Sequence, residues 1–467
     1  MAAMGRYTTP RFGRQQHETF PFIPRRRKLD MIGKGKAVAV LVAALGMPGM
    51  ALAQEARLDS GDTAWMMISS VLVLMMLVPG LALFYGGLVR AKNLLSIFTQ
   101  SFTVAGVIGV LWVVYGYSLF ADTTGMVAGE FNFHSLIGGF KHWMLLDVVR
   151  DSLVGSIPES VFATFQMTFA LITPMIIAGS FAERMKFSAA VLFCALWFTF
   201  CYLPLAHMAW SGPGGLLYDW GILEFAGGTV VHINSGVAGL VACVMLGRRQ
   251  GYSLQAMPPH NLGFALTGAA LLWVGWFGFN VGSAVAASAS AGMAMLTTQI
   301  AACAGILGWL AVEWLRTGKA SALGVASGAL AGLIAITPAC GFVGPAGALA
   351  MGLLTGAVCY VAVVYLKRTF GYDDALDAFG LHGIGGIVGS LLTGVFACKS
   401  LGGYQDIAIA SQVMIQLKSV LFTVVFCGVM TFVLLCVTRI LTRGLRVCEQ
   451  TEAEGLDLFQ HGEKAYG

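Results

Sequence analysis

Eleven apolar segments follow one another along this chain, near 62–88, 96–120, 158–182, 187–208, 225–247, 261–283, 287–315, 321–338, 342–366, 379–397 and 413–442. A helix rises about 1.5 Å per residue, so about 20 apolar residues cross the hydrocarbon core of a bilayer. The segments at 321–338 and 379–397 are the shorter ones. Charged residues make up 11% of the 467 and hydrophobic ones 57%, where a soluble domain carries about a quarter charged. The fold expected is therefore an all-α integral membrane protein of eleven transmembrane helices. Its 60 glycines lie largely within apolar runs, where small residues let helix backbones approach closely.

The net charge of +5 does not mark a nucleic-acid surface, because the cations sit at the ends of apolar runs. Arg90 with Lys92, Arg184 with Lys186, Arg248 with Arg249, Arg316 with Lys319, and Lys367 with Arg368 fall in alternate connections. The positive-inside rule makes those connections cytoplasmic. The tail is then cytoplasmic and the mature amino terminus outside. A leader agrees with this: a basic stretch, RRRKLDMIGKGK, precedes a short apolar run ending in Ala51-Leu52-Ala53, the pattern of a cleavable signal peptide. The domains expected are a leader over 1–53, with Met31 an alternative start, a membrane domain over 54–442 and a cytoplasmic tail over 443–467. Seven of the ten cysteines lie in apolar helices without CxxC spacing, which points to neither a disulfide framework nor a zinc site.

Two histidines stand inside this apolar chain. His232 lies in FAGGTVVHIN and His382 in FGLHGIGGIVG, each about two turns into its segment. Each is followed by glycine at plus four and plus seven, Gly236 and Gly239 in one copy, Gly386 and Gly389 in the other. Helical geometry puts those glycines on the histidine's face. The two segments begin on opposite sides of the membrane, which is the arrangement of two inverted five-helix repeats around a central pore, with an eleventh helix added. Intramembrane ionisable residues are functional by default; a packing histidine is the bland alternative. Metal binding lacks ligands, with no HExxH motif and no third clustered His or Cys. Two adjacent buried imidazoles repel if both are charged, so they are expected to be neutral or to share one proton.

Glu224 and Asp377 precede the two histidines at helix starts, where a carboxylate satisfies free N–H groups. Phe165 and Phe169 lie one turn apart, as do Phe279 and Ser283, and Trp210 ends the fourth segment. Singly, each is an ordinary lipid-facing or interfacial residue. As a set they form a cation-attracting mouth.

The motifs GLALFYGGLVR at Gly80, SIPESVFATFQMTF at Ser156, AERMKFS at Ala182, LPLAHMAW at Leu203, GWFGFNVGSA at Gly275, TPACGFVGP at Thr337 and DAFGLHGIGGIVG at Asp377, with FAGGTVVHIN and the tail, resemble the ammonium transporter family that includes the Rhesus glycoproteins, on its bacterial side. The resemblance covers essentially the whole chain after the leader. It implies ammonium or ammonia as the transported species, with methylammonium a further candidate, in a homotrimer of the bacterial inner membrane. It implies that Trp210, Phe169 and Ser283, with Phe165 beside them, recruit ammonium; that Phe169 and Phe279 close the pore; and that His232 and His382 line it. Glu224, Asp377 and Thr337 take supporting places, and no cofactor is implied. Glu224 replaces the aspartate usual in the family. The tail's resemblance implies docking of a PII-type nitrogen regulator, and its Glu449, Glu452 and Glu454 are expected to pair with Arg184, Lys186, Arg248 and Arg249. Two other readings stand beside transport: an ammonium sensor signalling through the tail, and an intramembrane enzyme using the histidine pair, for which no nucleophile or metal constellation is present.

Overall fold

The computed structural model describes residues 57–466, so the leader and its signal peptide lie outside the described residues. Among the described residues ten helices are long and apolar enough to span a membrane: α1 Ser60–Leu88, α2 Ala91–Ala121, α3 Glu159–Phe181, α4 Phe187–Trp210, α5 Gly228–Leu246, α6 Leu262–Val281, α7 Ala289–Thr317, α9 Pro345–Phe370, α10 Phe379–Phe396 and α11 Ile409–Leu441. Between α7 and α9 runs the shorter apolar helix α8, Ala322–Ile336. The eleven expected segments are thus eleven helices, with bounds shifted by a few residues.

Those shifts have local causes. Helix α8 stops at Ile336 because Pro338 has no N–H to continue the ladder. Segment five, expected from residue 225, becomes helical only at Gly228: the N–H groups of Phe225 and Ala226 donate instead to the carbonyls of Pro338 and Thr337. This joins the start of α5 to the end of α8. Other starts are set by side-chain caps, Asp59 for α1, Asn261 for α6, Ser288 for α7 and Ser321 for α8, each accepting from a backbone N–H in the first turn.

Glycines set the closest helix contacts. A Cβ on Gly305 of α7 would lie 2.3 Å from the carbonyl oxygen of Gly328 on α8, and one on Gly356 of α9 would lie 2.2 Å from the carbonyl oxygen of Gly305. The histidine helices cross by the same device. A Cβ on Gly236 would sit 2.2 Å from the nitrogen of Gly383, and one on Gly386 3.1 Å from Cβ of His232. The plus-seven glycines face the preceding helices: Gly239 lies against Ser180 of α3, and Gly389 against Ala335 of α8. Each copy of the motif therefore uses plus four to meet the other histidine segment and plus seven to meet its own repeat's third helix.

Candidate functional site

Both histidines sit where the helix is wound wide. The His232 N–H donates to the carbonyl of Gly227 at 3.0 Å, five residues back, within the wide turn Gly228–Ile233. His382 lies in the corresponding turn Phe379–Gly383, and Phe279 in a third, Phe277–Val281. Such turns recur at functional sites because they rotate a side chain out of the regular helical register. Gly227 precedes the first with φ 125°, a conformation that residues with a Cβ resist.

A carboxylate stands at the head of each of the two histidine turns. Glu224 accepts from the Thr229 N–H with both oxygens, at 3.0 and 3.1 Å. Burial pushes its carboxyl up to about 7, against the hydrogen bonds from Thr229 that favour the charged form. At the second turn the same service comes from Asp374, which accepts from Ala378 at 3.1 Å and Phe379 at 2.7 Å. Asp377 has φ 60° and its carboxylate pairs with Lys367, so the helix-start role expected of it falls to Asp374. The sequence carries the signal: Glu224 and Asp374 both lie eight residues before their histidine.

The two imidazoles meet, Nδ1 to Nδ1, at 3.1 Å, and both residues are buried. Nε2 of His232 lies 3.3 Å from Oγ1 of Thr337. That hydroxyl donates to the carbonyl of Leu333 at 2.8 Å and accepts from the Trp276 indole at 3.0 Å. Its one hydrogen is committed, so towards His232 it accepts, and His232 carries its proton on Nε2. The bare Nδ1 of His232 then accepts from Nδ1–H of His382. Nε2 of His382 is left as an acceptor.

Beyond the pair, away from the tail, Phe169 stacks on Phe279 with ring centroids 4.1 Å apart and planes at 28°. Phe165 meets Phe169 edge-on at 4.9 Å, and Trp210 does so at 5.9 Å. Past these rings opens a cavity of ≈ 180 Å³ lined by Phe169, Trp210, Ser283, Phe225 and Gln166 among others. Ser283 donates its hydroxyl hydrogen to the Phe279 carbonyl at 2.8 Å, which leaves its oxygen to accept. On the other side of the stacked rings, His232, His382, Trp276 and Phe279 line a chamber with only ≈ 20 Å³ open to a water-sized molecule, about the room for one. Phe84 borders both this chamber and a third cavity, of ≈ 230 Å³, that reaches Arg249, Lys367 and Asp377. The order is an aromatic cavity, stacked rings, a histidine chamber and a charged mouth on the tail side. Among the described residues no group of three or more His, Cys, Asp or Glu could hold a metal ion.

Residues 64–466 match the Ammonium Transporter Family. The chain belongs to that family. It is 46% identical over 418 residues to an ammonium transporter of Aquifex aeolicus, covering 89% of this chain and 96% of that one. With the ammonium transporter of Bacillus subtilis the identity is 47% over 418 residues, covering 88% and 99%. The crystal structure of Candida albicans Mep2 superposes with a TM-score of 0.77 at 34% identity, covering 88% of this chain and 91% of that one. A structure described as a sensor Amt protein superposes with a TM-score of 0.78 at 27% identity, covering 86% and 98%. Membership is of a family of transporters, and the reading as an enzyme falls.

In this ammonium transporter the tail docks on the face carrying the basic connections, but through different partners from those expected. Arg249 is taken by Asp373 at 2.8 Å and Glu183 at 3.1 Å, both buried, and Glu183 also holds Arg90 at 2.9 Å. Burial works against the charge on Glu183 and Asp373, yet Arg249 together with Arg90 at Glu183, and Arg249 together with Arg184 at Asp373, outweigh it and hold both carboxyls below their usual range. Arg184 donates to the carbonyls of Gly247, Ala182 and Asp373, and Arg248 to that of Gly371. Glu452 pairs with Arg446 of the tail itself at 2.7 Å, while Glu454 accepts from Gln450. Glu452 also accepts from the Gln250 N–H at 2.7 Å, backbone bonds join Lys186 to Leu445 and Val447 to Arg184, and the docking runs further through helix starts. Asp457 accepts from Leu95 and Ser96 at the head of α2, and Gln460 from Phe187, the first residue of α4. Sign matching missed these contacts because orphan backbone N–H groups carry no sequence label.

Proposed function

We propose that this ammonium transporter recruits ammonium at the cavity of Trp210, Phe169 and Ser283, where the cation releases its proton to the water that still reaches the cavity, and conducts ammonia past Phe169 and Phe279 to the histidine pair. The observation that carries this reading is the succession of stacked rings and a one-molecule chamber walled by His232 and His382. A bare monovalent cation in so apolar a chamber loses hydration worth on the order of tens of kcal/mol, far above the roughly 2 kcal/mol of a desolvated ring contact. Neutral ammonia avoids that cost. Nε2 of His382 accepts one of its hydrogens, and the cavity aromatics hold the cation only where water still reaches. Potassium has no proton to give up, so the same path rejects it. Glu224, Asp374 and Thr337 act as positioning residues: the carboxylates fix the wide turns and Thr337 fixes the tautomer of His232.

The orientation read from the basic connections sets Trp210 on the outer face of a bacterial inner membrane, with the tail in the cytoplasm. A homotrimer and a PII-type regulator at the tail side complete the proposal. A sensor role has support from the structural likeness to a sensor Amt protein, but the 46–47% identity to ammonium transporters favours transport. Proteoliposomes of the purified chain test this: ammonium uptake well above empty vesicles with no potassium uptake is the expected result, and equal flux of the two cations would refute it.

A further inference from the structure

A second cavity adjoins the one at Ser283, on the side away from the tail, and nothing in the transport path described so far uses it. It has ≈ 300 Å³ and shares Phe162 and Trp210 with its neighbour, so those two rings form a common wall. Glu159, the first residue of α3, is among the residues that line it. The carboxylate is mostly withdrawn from solvent, with 13% of the side chain exposed. Its Oε1 accepts from the Tyr117 hydroxyl at 2.9 Å. Its Oε2 has no hydrogen-bond partner among the described residues and belongs to a residue lining the cavity. His142 lies 3.9 Å from Oε1 through Nδ1, but that nitrogen is engaged more closely, at 2.7 Å, by Asp147. The aromatic walls are Tyr117, Phe120 and Phe162, the last two stacked at 6.4 Å.

A carboxylate oxygen open to an aromatic-walled cavity attracts a small cation twice over, by its charge in a medium less polar than water and by the ring faces. It also accepts the hydrogen of an N–H donor. We propose that this cavity is an outer subsite for a small hydrogen-bonding monocation, ammonium or methylammonium, held on Glu159 before it passes Trp210 into the cavity at Ser283. The proposal rests on the transport reading given above. Its role is capture: it raises the cation's local concentration at the entrance, and so sets the half-saturating concentration, while the rings and the histidines set the maximal rate.

Three single variants of the full chain, each in proteoliposomes, test it by the concentration dependence of methylammonium uptake. Glu159→Gln keeps an oxygen for Tyr117, removes the charge and replaces the free acceptor oxygen by an amide donor. It is expected to raise the half-saturating concentration roughly three- to tenfold, the scale of one charge–charge contact near a surface, with the maximal rate unchanged. Glu159→Asp keeps the charge and is expected to stay within about twofold of the parent. Were Glu159 merely the holder of Tyr117, Gln would behave as the parent and Asp would be the damaged variant, and that pattern overturns the proposal. Tyr117→Phe keeps the carboxylate and frees its other oxygen. It is expected to hold or lower the half-saturating concentration, and a rise matching that of Glu159→Gln also overturns the proposal. If the parent protein itself transports no methylammonium or ammonium above empty vesicles, the transport reading fails; if the parent transports and Glu159→Gln is unchanged, only the subsite fails.

Discussion

A Cβ placed on Gly236 would lie 2.2 Å from the amide nitrogen of Gly383 and 2.4 Å from its Cα. Neither atom can yield without moving the backbone that carries His382. Gly236→Ala is therefore expected to push α5 and α10 apart, costing about 1–3 kcal/mol and widening the 3.1 Å contact between the histidines. Transport should fall more than about tenfold, the rate equivalent of 1.4 kcal/mol. Gly428→Ala, whose nearest neighbour would be 3.9 Å away, is the control. Melting in detergent and ammonium uptake measure both, and a Gly236→Ala protein as stable and active as the control would remove the close crossing from the account.

The two carboxylates at minus eight carry the next expectation. Glu224→Ala and Asp374→Ala should each cost about 0.5–2 kcal/mol as lost caps and lower transport, because each cap fixes the turn bearing a histidine. Asp377→Ala removes only a partner of Lys367 and should leave uptake nearer the parent. Equal losses at Asp374 and Asp377 would show that capping does not distinguish them.

Much of this was legible beforehand, and the residues say why. His232, His382 and their glycines stand out because ionisable and small residues are rare choices in a lipid-spanning helix, and the structure puts both sets in one crossing. Eleven helices follow from hydropathy alone. Asp374 is the less visible of the two aspartates because Asp377 lies nearer the apolar run, and the chain between Gly371 and Ala378 is not helical. The wide turns leave no period in the sequence, since one added residue per turn is decided by tertiary packing and by Gly227. The expected ion pairs of the tail misjudged what the arginines need: Arg184 is satisfied by three backbone carbonyls, which composition does not display.

The buried network of Arg90, Glu183, Arg249 and Asp373 makes stability depend on pH with a definite sign. Glu183 and Asp373 have folded-state values below their ordinary ones of 4.5 and 3.8. Their contribution is fully present above those values and is lost as pH falls through the folded ones. The network's share of the parent's stability should thus stay constant from about pH 7 to pH 5 and be lost only below. Arg249→Gln leaves two buried carboxylates short of their main partner and should cost about 3–5 kcal/mol at neutral pH. Those carboxylates then gain by protonation, so the variant should melt higher at about pH 5 than at pH 7. The same pH profile in both proteins would contradict this assignment of the network.

The tail prediction follows from Asp457 and Gln460. Truncation after Arg446 strips the caps from the starts of α2 and α4, and is expected to lower transport and abolish recovery of a PII-type regulator in a pull-down, with membrane insertion intact. Asp457→Ala alone should cost about 0.5–2 kcal/mol and speed hydrogen exchange at Leu95 and Ser96. Equal regulator recovery with and without the tail would exclude the tail from that interface.

The central claim is that the histidine pair passes ammonia and bars ions, and current and flux recorded together in proteoliposomes test it most directly. The parent should give ammonium uptake and no potassium current. His382→Glu, which sets an acidic group where Nε2 accepts from the substrate, should admit potassium current while still transporting ammonium. An unaltered parent that carries potassium, or a His382→Glu protein indistinguishable from the parent in both readings, would contradict the account.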